Sequence, residues 1–410
     1  MTIAETAHEK RISAWALWPL GLATALSLMG DATLYAVLPT HFADAGIAIG
    51  SVGVILSVNR FIRLFTNGPA GWLFDRLPER RILFVGSLAL GVFSTMIYAQ
   101  ATGVEILFIA RLLWGLAWSG IWVGGNAIVL QMAPSTQRGH WVGIYQVWFF
   151  LGSATGSFFG GSLTDAVGYR GALWIGAGIS AMGAIAAALA LSVRHANYEP
   201  NDISSNKKWY TSLMPDLRGI SGAIWATVTA QAINRLAAAG IVAATLGLVV
   251  QSNFDTELSV GSFTIGVASM TGTLLAARTL ISVIGAPIAG TLSDRAKHRW
   301  GWLTLSLCLG AMGMGILPAP NLIALMLGIL ASSLASGGTQ SLTTALIGDL
   351  STPTEHGKNL GLFYTAGDLS SAIGPIVAYA LLPITGLFSI YVGCAVLMLA
   401  TALWSLKFRH

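Results

Sequence analysis

Long apolar segments separated by short polar turns make up most of this 410-residue chain. A helix needs about 20 apolar residues to cross the hydrocarbon core of a bilayer. Twelve segments reach that length and are predicted to be transmembrane helices: 14–40, 48–74, 82–101, 105–132, 140–164, 170–193, 220–250, 261–293, 301–318, 321–349, 358–383 and 385–406. The pattern therefore predicts an all-α integral membrane protein.

Residues 194–219 form the one long polar interruption and are predicted to be a linker. They separate residues 1–193 from residues 220–410, each with six predicted helices. One charged sequence occurs once in each part: Gly71-Trp72-Leu73-Phe74-Asp75-Arg76 returns as Gly290-Thr291-Leu292-Ser293-Asp294-Arg295. Three glycines repeat at a common offset: Gly139, Gly143 and Gly156 correspond to Gly357, Gly361 and Gly374. The repetition indicates two pseudo-symmetric six-helix bundles, as in many transporters.

The composition excludes a soluble enzyme. Hydrophobic residues make up 54% of the chain and charged residues only 10%, whereas soluble domains carry about 25% charged residues. The net charge of +5 does not indicate nucleic-acid binding, because the basic residues fall at helix ends and form no single face. No metal-ligand spacing and no phosphate-binding glycine loop occur in the sequence, so we expect no cofactor and no metal.

The distribution of basic residues predicts the orientation in the membrane. With the N-terminus in the cytoplasm, 16 of the 22 Lys and Arg residues fall in cytoplasmic segments, and only Arg170 falls outside. Cytoplasmic loops of membrane proteins carry such an excess of positive charge. We therefore expect a multi-pass protein of the inner (plasma) membrane with both termini, and the linker, in the cytoplasm.

The turn after the second predicted helix resembles the signature Gly-x-Leu-x-Asp-Arg-x-Gly-Arg-Arg of the major facilitator superfamily. The matching residues are Gly71, Leu73, Asp75, Arg76, Arg80 and Arg81, with Pro78 in place of the second glycine. The later copy keeps Gly290, Leu292, Asp294, Arg295 and Arg299, with Lys297 at that glycine position. The resemblance implies a transporter in which these residues form a latch that holds the outward-facing state. It also implies a monomer.

Two further elements resemble the drug:proton antiporter branch of that family. Arg111 and Gly115 resemble the Arg-x-x-x-Gly element of the family's fourth helix, which is often linked with proton coupling. The fifth helix resembles the antiporter signature Gly-x-x-x-Gly-Pro-x-x-Gly-Gly around Gly156, with Ser157 where proline is usual. The corresponding sequence in the eleventh helix does contain proline, as Gly374-Pro375. The match favours an exporter and a gating role for these residues. Because Ser157 replaces the usual proline, the direction of transport stays open. The alternative is that the glycines form a face for helix packing.

Seven charged residues fall within the predicted helices: Asp31, Arg60, Arg63, Arg111, Arg235, Arg278 and Asp368. A charge at the bilayer centre costs at least a few kcal/mol, so each suggests a function. Guanidinium forks match carboxylates and phosphates, and the surplus of arginine argues against a cationic substrate. The residues predicted to bind an anionic group of the substrate are Arg60, Arg235 and Arg278. Arg63 either joins them or points between helices.

Asp31 has two interpretations. As in the resembled antiporters, which carry an acidic residue on the first helix, it is the proton-binding site, with Arg111 adjusting its proton affinity and Asp368 as a second protonation site. Alternatively, Asp31 is structural and pairs with an arginine to hold its half together.

Tryptophan recurs every fourth residue along the fourth helix, at Trp114, Trp118 and Trp122. This spacing places the three indoles on one helical face. The stripe is predicted to form an apolar wall of the cavity together with Asn126, Tyr145, Gln146 and Trp148. A stripe that packs helices or faces lipid is the alternative. If it lines the cavity, the substrate has an apolar body as well as a charge.

These observations predict a secondary transporter that works by alternating access. The leading hypothesis is proton-coupled export of a small amphipathic molecule, anionic or zwitterionic. The expected partners of the protein are that molecule, protons and the lipid bilayer. The alternatives are uptake or exchange of an organic anion, and a receptor or scaffold built on a transporter fold. An enzymatic activity is not expected.

Overall fold

The protein is described by a computed structural model that covers residues 17–77, 79–134, 137–191, 220–254, 257–260, 263–352 and 356–408. Its helices are α1 (Trp18–Val37), α2 (Ile49–Arg76), α3 (Arg80–Gln100), α4 (Val104–Met132), α5 (Arg138–Ala190), α6 (Gly222–Arg235), α7 (Ala243–Phe254), α8 (Val267–Ala296), α9 (Arg299–Ile316), α10 (Leu322–Leu350) and α11 (His356–Ser405). A π-helical turn, Leu236–Val242, joins α6 to α7. A short 3₁₀ turn, Leu406–Phe408, follows α11.

Helix α5 is a helical hairpin. Its 53 residues would measure about 80 Å if straight, far more than the bilayer core. The chain bends at Gly168, which has a φ of 81° that glycine adopts without steric cost. The two arms run in opposite directions along α1, as the contacting residues show: Gly152 with Ala25 and Gly160 with Thr33 in the first arm, Gly176 with Gly30 and Gly183 with Leu26 in the second.

Helix α11 folds back in the same way at Gly386, with a φ of 72°. Tyr379, before the bend, donates a hydrogen bond to Ala244 O at 2.9 Å. Tyr391, after the bend, is hydrogen-bonded to Thr245 at 3.0 Å. Both arms therefore reach the same level of α7.

The predicted fold class is confirmed, because long apolar helices dominate the described residues. Nine continuous helical segments there are long and apolar enough to cross a membrane, and two of them are the hairpins. The number of crossings and the domain boundaries stay predictions, and the predicted linker 194–219 lies outside the described residues.

One predicted boundary is wrong. The eighth span was expected to begin at residue 261, but a β-hairpin of strands β1 (Glu257–Val260) and β2 (Phe263–Gly266) precedes α8. The strands pair antiparallel, with Leu258 opposite Ile265. The apolar residues of this segment satisfy strand pairing as well as helix periodicity, which hydropathy alone does not distinguish.

The bundle has two ends with different features. The bend end carries residues 38–48 and the bends at Gly168 and Gly386. The ion-pair end carries the salt bridges of Asp75 with Arg80 and of Arg299 with Asp294 and Asp349. Between them, the largest fully buried side chains include Trp114, Trp141, Arg111 and Tyr145.

The two halves approach each other closely at two equivalent helix crossings toward the bend end. A Cβ atom added to Gly53 of α2 would collide with Pro375 O of α11. One added to Gly272 of α8 would collide with Ser157 O of α5. Gly53 corresponds to Gly272 in the internal repeat, and Ser157 corresponds to Pro375. Glycine is needed at these two positions because the helix backbones touch.

Candidate functional site

A cavity of about 260 Å³ lies between the two halves, lined by the middle turns of the helices. Its charged lining residues are Asp31, Arg60, Arg63, Arg235 and Arg278. Four guanidinium groups and one carboxylate thus face a shared space. The mixture of apolar walls and a few convergent polar groups is typical of small-molecule sites.

Asp31 of α1 forms a salt bridge with Arg111 of α4. The Arg111 side chain is fully buried, whereas that of Asp31 is 16% exposed. Arg111 also donates hydrogen bonds to Ile55 O at 3.0 Å and to the Tyr35 hydroxyl at 3.3 Å. Tyr35 in turn donates to Leu56 O at 2.7 Å. The carboxylate is therefore held by a buried arginine on one side and faces the cavity on the other.

This pair links the charge of Asp31 to the packing of its half. A buried cation that loses its counter-charge is strongly destabilised, so a proton on Asp31 would leave Arg111 uncompensated. Arg111 joins α4 to α1 and α2 through its three hydrogen-bonding nitrogens.

A second ion pair lies in the other half, where Arg235 and Asp368 are 3.4 Å apart. Their side chains are 34% and 30% exposed, so solvent screens this pair more than the Asp31–Arg111 pair. Arg235 lines the cavity, and Asp368 is not among its lining residues. Asp368 contributes its main-chain carbonyl as acceptor for Ser371 Oγ at 2.8 Å.

The Arg60 side chain forms hydrogen bonds from the N-terminal half to the C-terminal half. Its NH1 donates to Ala239 O and to Ser371 O, each at 2.7 Å. The first acceptor belongs to the π-helical turn Leu236–Val242, and the second to α11. The guanidinium carbon also lies 4.9 Å from the centre of the Tyr35 ring.

Arg63 and Arg278 line the cavity without a hydrogen bond or an ion pair to any residue in the described parts of the chain. Nε of Arg63 is buried and has no partner there. Both side chains are partly buried, and cations removed from water without partners are costly, so a bound anion would relieve both groups.

One wall of the cavity is aromatic. Trp114 and Trp118 of α4 line it, together with Phe149 and Phe150 of α5. The indoles of Trp118 and Trp122 stack with centroids 5.8 Å apart. Trp122, however, is not among the lining residues.

Four predicted substrate-binding residues lie outside the cavity lining: Trp122, Asn126, Tyr145 and Gln146. Tyr145 is fully buried and hydrogen-bonded to Thr24 at 3.0 Å. Asn126 donates to Trp122 O of its own helix at 2.8 Å. Gln146 is exposed. The sequence stripe therefore continues past the cavity into the packing between α4 and α5.

The predicted gating residues of the repeat lie at the ion-pair end. Arg80 is 3.8 Å from Asp75. Arg299 joins three helices, because it contacts Asp294 at 3.1 Å and Asp349 at 2.8 Å. The exposed residues of the element also include Arg76, which lies over the Trp72 ring, and Arg295.

The glycines of the repeat mark helix contacts inside each half. Gly71 of α2 faces Val123 of α4, and Gly290 of α8 faces the corresponding Ser341 of α10. In the hairpins, Gly156 packs on Leu28 and Ala32 of α1, and Gly374 packs on Leu236 and Gly240 of the π-helical turn.

Some site residues were missed from the sequence. Tyr35, Phe149 and Phe150 line the cavity, yet aromatic residues are common throughout the chain and carry no distinguishing pattern. The π-helical turn after Arg235 was not predicted either. A π-bulge inserts one residue into a helix and often accompanies a functional site, but it leaves no reliable trace in hydropathy.

Comparison with known proteins identifies relatives of the whole chain. The family model described as "Major Facilitator Superfamily" matches residues 20–272 and 237–410. The probable galactarate/D-glucarate transporter GudP of Escherichia coli (strain K12) is 23% identical, over 95% of this chain and 92% of that protein.

Two further matches cover only part of the chain. The MFS-type transporter ppzB of Metarhizium rileyi is 32% identical over 31% of this chain, which spans only 24% of that protein. The quinolone resistance protein NorA of Staphylococcus aureus (strain Mu50) is 23% identical over 32% of this chain and 35% of that protein.

Solved transporter structures share the fold. A bacterial homologue of the human lysosomal transporter Spinster, in an inward-facing and unoccupied conformation, superposes with a TM-score of 0.73 and 14% identity, covering 98% of this chain and 96% of that chain. The nucleoside transporter NupG superposes with a TM-score of 0.74 and 14% identity, covering 96% and 99%.

Proposed function

The chain belongs to the major facilitator superfamily and is a multi-pass secondary transporter, and on that premise we propose that it exports a small amphipathic anion or zwitterion in exchange for protons. It does so by alternating access of the cavity between its halves. We further propose that it works as a monomer in the inner (plasma) membrane, with both termini in the cytoplasm.

The observation that carries the proton coupling is the contact of Asp31 with Arg111 at the cavity wall. Asp31 is the carboxylate among the charged residues that line the cavity, so it is reached by a proton from that space. Its neutralisation removes the counter-charge of a buried arginine, which gives the proton an effect on helix packing. Asp368, beside Arg235, is proposed as the second protonation site.

The anionic character of the substrate is supported by the arginine surplus. Asp31 already pairs with Arg111, and Asp368 pairs with Arg235. Arg63 and Arg278 keep uncompensated charges that a carboxylate or phosphate can bind. Trp118 and Phe149 provide the flat surface for an apolar body.

Replacing Arg278 with glutamine is expected to weaken binding of an anionic substrate by at least about tenfold, because a charge-assisted hydrogen bond is lost. A neutral analogue of the same size is expected to bind unchanged. Thermal-shift titration with phthalate and with phthalamide measures the two affinities. Arg170→Gln, at an exposed position outside the cavity, serves as the control. Equal losses for phthalate and phthalamide would remove the argument for an anion.

Uptake or exchange of an organic anion is the second candidate. It is favoured by the match to GudP, whose name specifies the transport of two sugar acids and which is similar along nearly its whole length. In that case Asp31 is structural. A panel of acidic, neutral and basic compounds in the thermal-shift assay, followed by flux measurements in both directions, separates export from uptake.

A further inference from the structure

We propose that Arg60 is a positioning residue that couples anion binding to the closure of the bend end. The bridge itself is independent of the proposed function, and only its coupling to anion binding rests on the proposed anionic substrate. It changes the role that the sequence suggests for Arg60, from a plain substrate ligand to a bridge between the two halves.

The bridge is made by one nitrogen. NH1 of Arg60 on α2 donates to Ala239 O and Ser371 O, both at 2.7 Å and both in the other half. Arg60 lies two turns along α2 from Gly53, where α2 touches Pro375 of α11. The bridge therefore extends this backbone crossing toward the cavity.

Both acceptors are available because the helices that carry them are irregular. In a regular helix Ser371 O would accept the N–H of the residue four positions later. That residue is Pro375, which has no N–H. Ala239 lies in the π-helical turn, where the regular ladder of hydrogen bonds is interrupted. Arg60 thus donates to a carbonyl that its own helix leaves open.

The remainder of the Arg60 guanidinium is free to receive an anion. Among the residues that the structure describes, none is hydrogen-bonded to Nε or NH2 of Arg60, and Arg60 lines the cavity. A carboxylate or phosphate that binds NH1 and NH2 as a fork brings a full negative charge to the guanidinium, which the two neutral carbonyls do not. Such an anion takes one of the two NH1 hydrogens in place of Ala239 O or Ser371 O, so we expect the bridge to weaken and the bend end to open more often.

The test measures the separation of the halves in the absence of substrate and of any proton gradient. Spin labels are attached to Thr102→Cys and Pro320→Cys, exposed positions near the bend end in the two halves. The background carries Cys308→Ala and Cys394→Ala, because these are free cysteines. Double electron–electron resonance then gives the distance distribution.

Arg60→Gln is expected to raise the ratio of long to short distances by at least about tenfold, since two hydrogen bonds to a charged donor are lost. Arg170→Gln is the matched control, because Arg170 is exposed and outside the cavity, and its hydrogen bond to Asp44 O stays within its own half. No change with Arg60→Gln, or equal changes with both variants, overturns the bridge.

Pro375→Ala tests the origin of the open carbonyl without removing the arginine. It restores an N–H that can bond Ser371 O, so we expect a smaller rise in the long-distance population, in the same direction as with Arg60→Gln. Pro383→Ala, in the same helix but away from the bridge, is expected to leave the distances unchanged. Equal responses of the two proline variants contradict the assignment.

The coupling is tested by adding phthalate or galactarate to the wild-type protein. Either anion is expected to raise the long-distance population, and phthalamide is not. A bridge that responds to Arg60→Gln but to neither anion overturns the coupling. Failure of proton-driven export leaves all these distances unaffected, so the two proposals fail separately.

Discussion

Replacing Asp31 with asparagine is expected to abolish transport driven by a proton gradient while leaving substrate counterflow largely intact. Asparagine has the same shape and still accepts a hydrogen bond from Arg111, but it does not bind a proton at physiological pH. A gradient of one pH unit supplies about 1.4 kcal/mol per proton, and that driving force no longer reaches the substrate. Flux into proteoliposomes with and without an imposed gradient measures both quantities.

The control for this experiment is Asp44→Asn, an exposed carboxylate in the loop between α1 and α2. Its gradient-driven flux is expected to match that of the wild type. If Asp31→Asn also retains wild-type coupling, Asp31 is not the proton site, and its pair with Arg111 is structural. Loss of counterflow as well would point to an indispensable packing role for the carboxylate.

The second large effect is expected at the crossing of α5 with α8, where Gly161→Ala should prevent the present close approach. A Cβ atom there would lie 3.2 Å from Gly272 Cα and collide with Ala268 O. Backbone atoms do not yield as a flexible side chain would, and overpacking costs about 1–3 kcal/mol. The closed bend end should lose population by about tenfold or more, with a matching fall in transport rate.

Gly178→Ala provides the comparison, since Gly178 lies in the other arm of the same hairpin, is exposed and faces open space. The labels on Thr102→Cys and Pro320→Cys report the separation, and flux reports function. Unchanged distances in Gly161→Ala would show that α5 and α8 do not need this contact to close.

Most of the fold was predictable from the sequence because the bilayer imposes length and hydrophobicity on each crossing. The repeat around Asp75 and Asp294 was sufficient to indicate the family. What the sequence missed is local: the β-hairpin before α8 and the π-helical turn before α7. Both depend on main-chain hydrogen bonding, which apolar composition does not report.

The site was predictable in part, because charges in apolar segments are conspicuous. Asp31, Arg60, Arg235 and Arg278 all line one cavity. Tyr145 does not, because its position on the helix turns it toward α1 and Thr24. Which face of a helix meets a cavity depends on tertiary packing, and a stripe at helical spacing is equally suited to either use.

Tyr35 is where the two proposed ligands would influence each other. Its ring centre lies 4.9 Å from the Arg60 guanidinium carbon and 5.3 Å from that of Arg111. An aromatic face attracts a cation through its quadrupole, so both arginines share a single electron-rich surface. When one guanidinium moves away from the ring, the attraction of the ring acts on the other guanidinium alone. The Tyr35 ring therefore links the two guanidinium groups electrostatically, so that protonation next to one of them would change the interaction energy of the other.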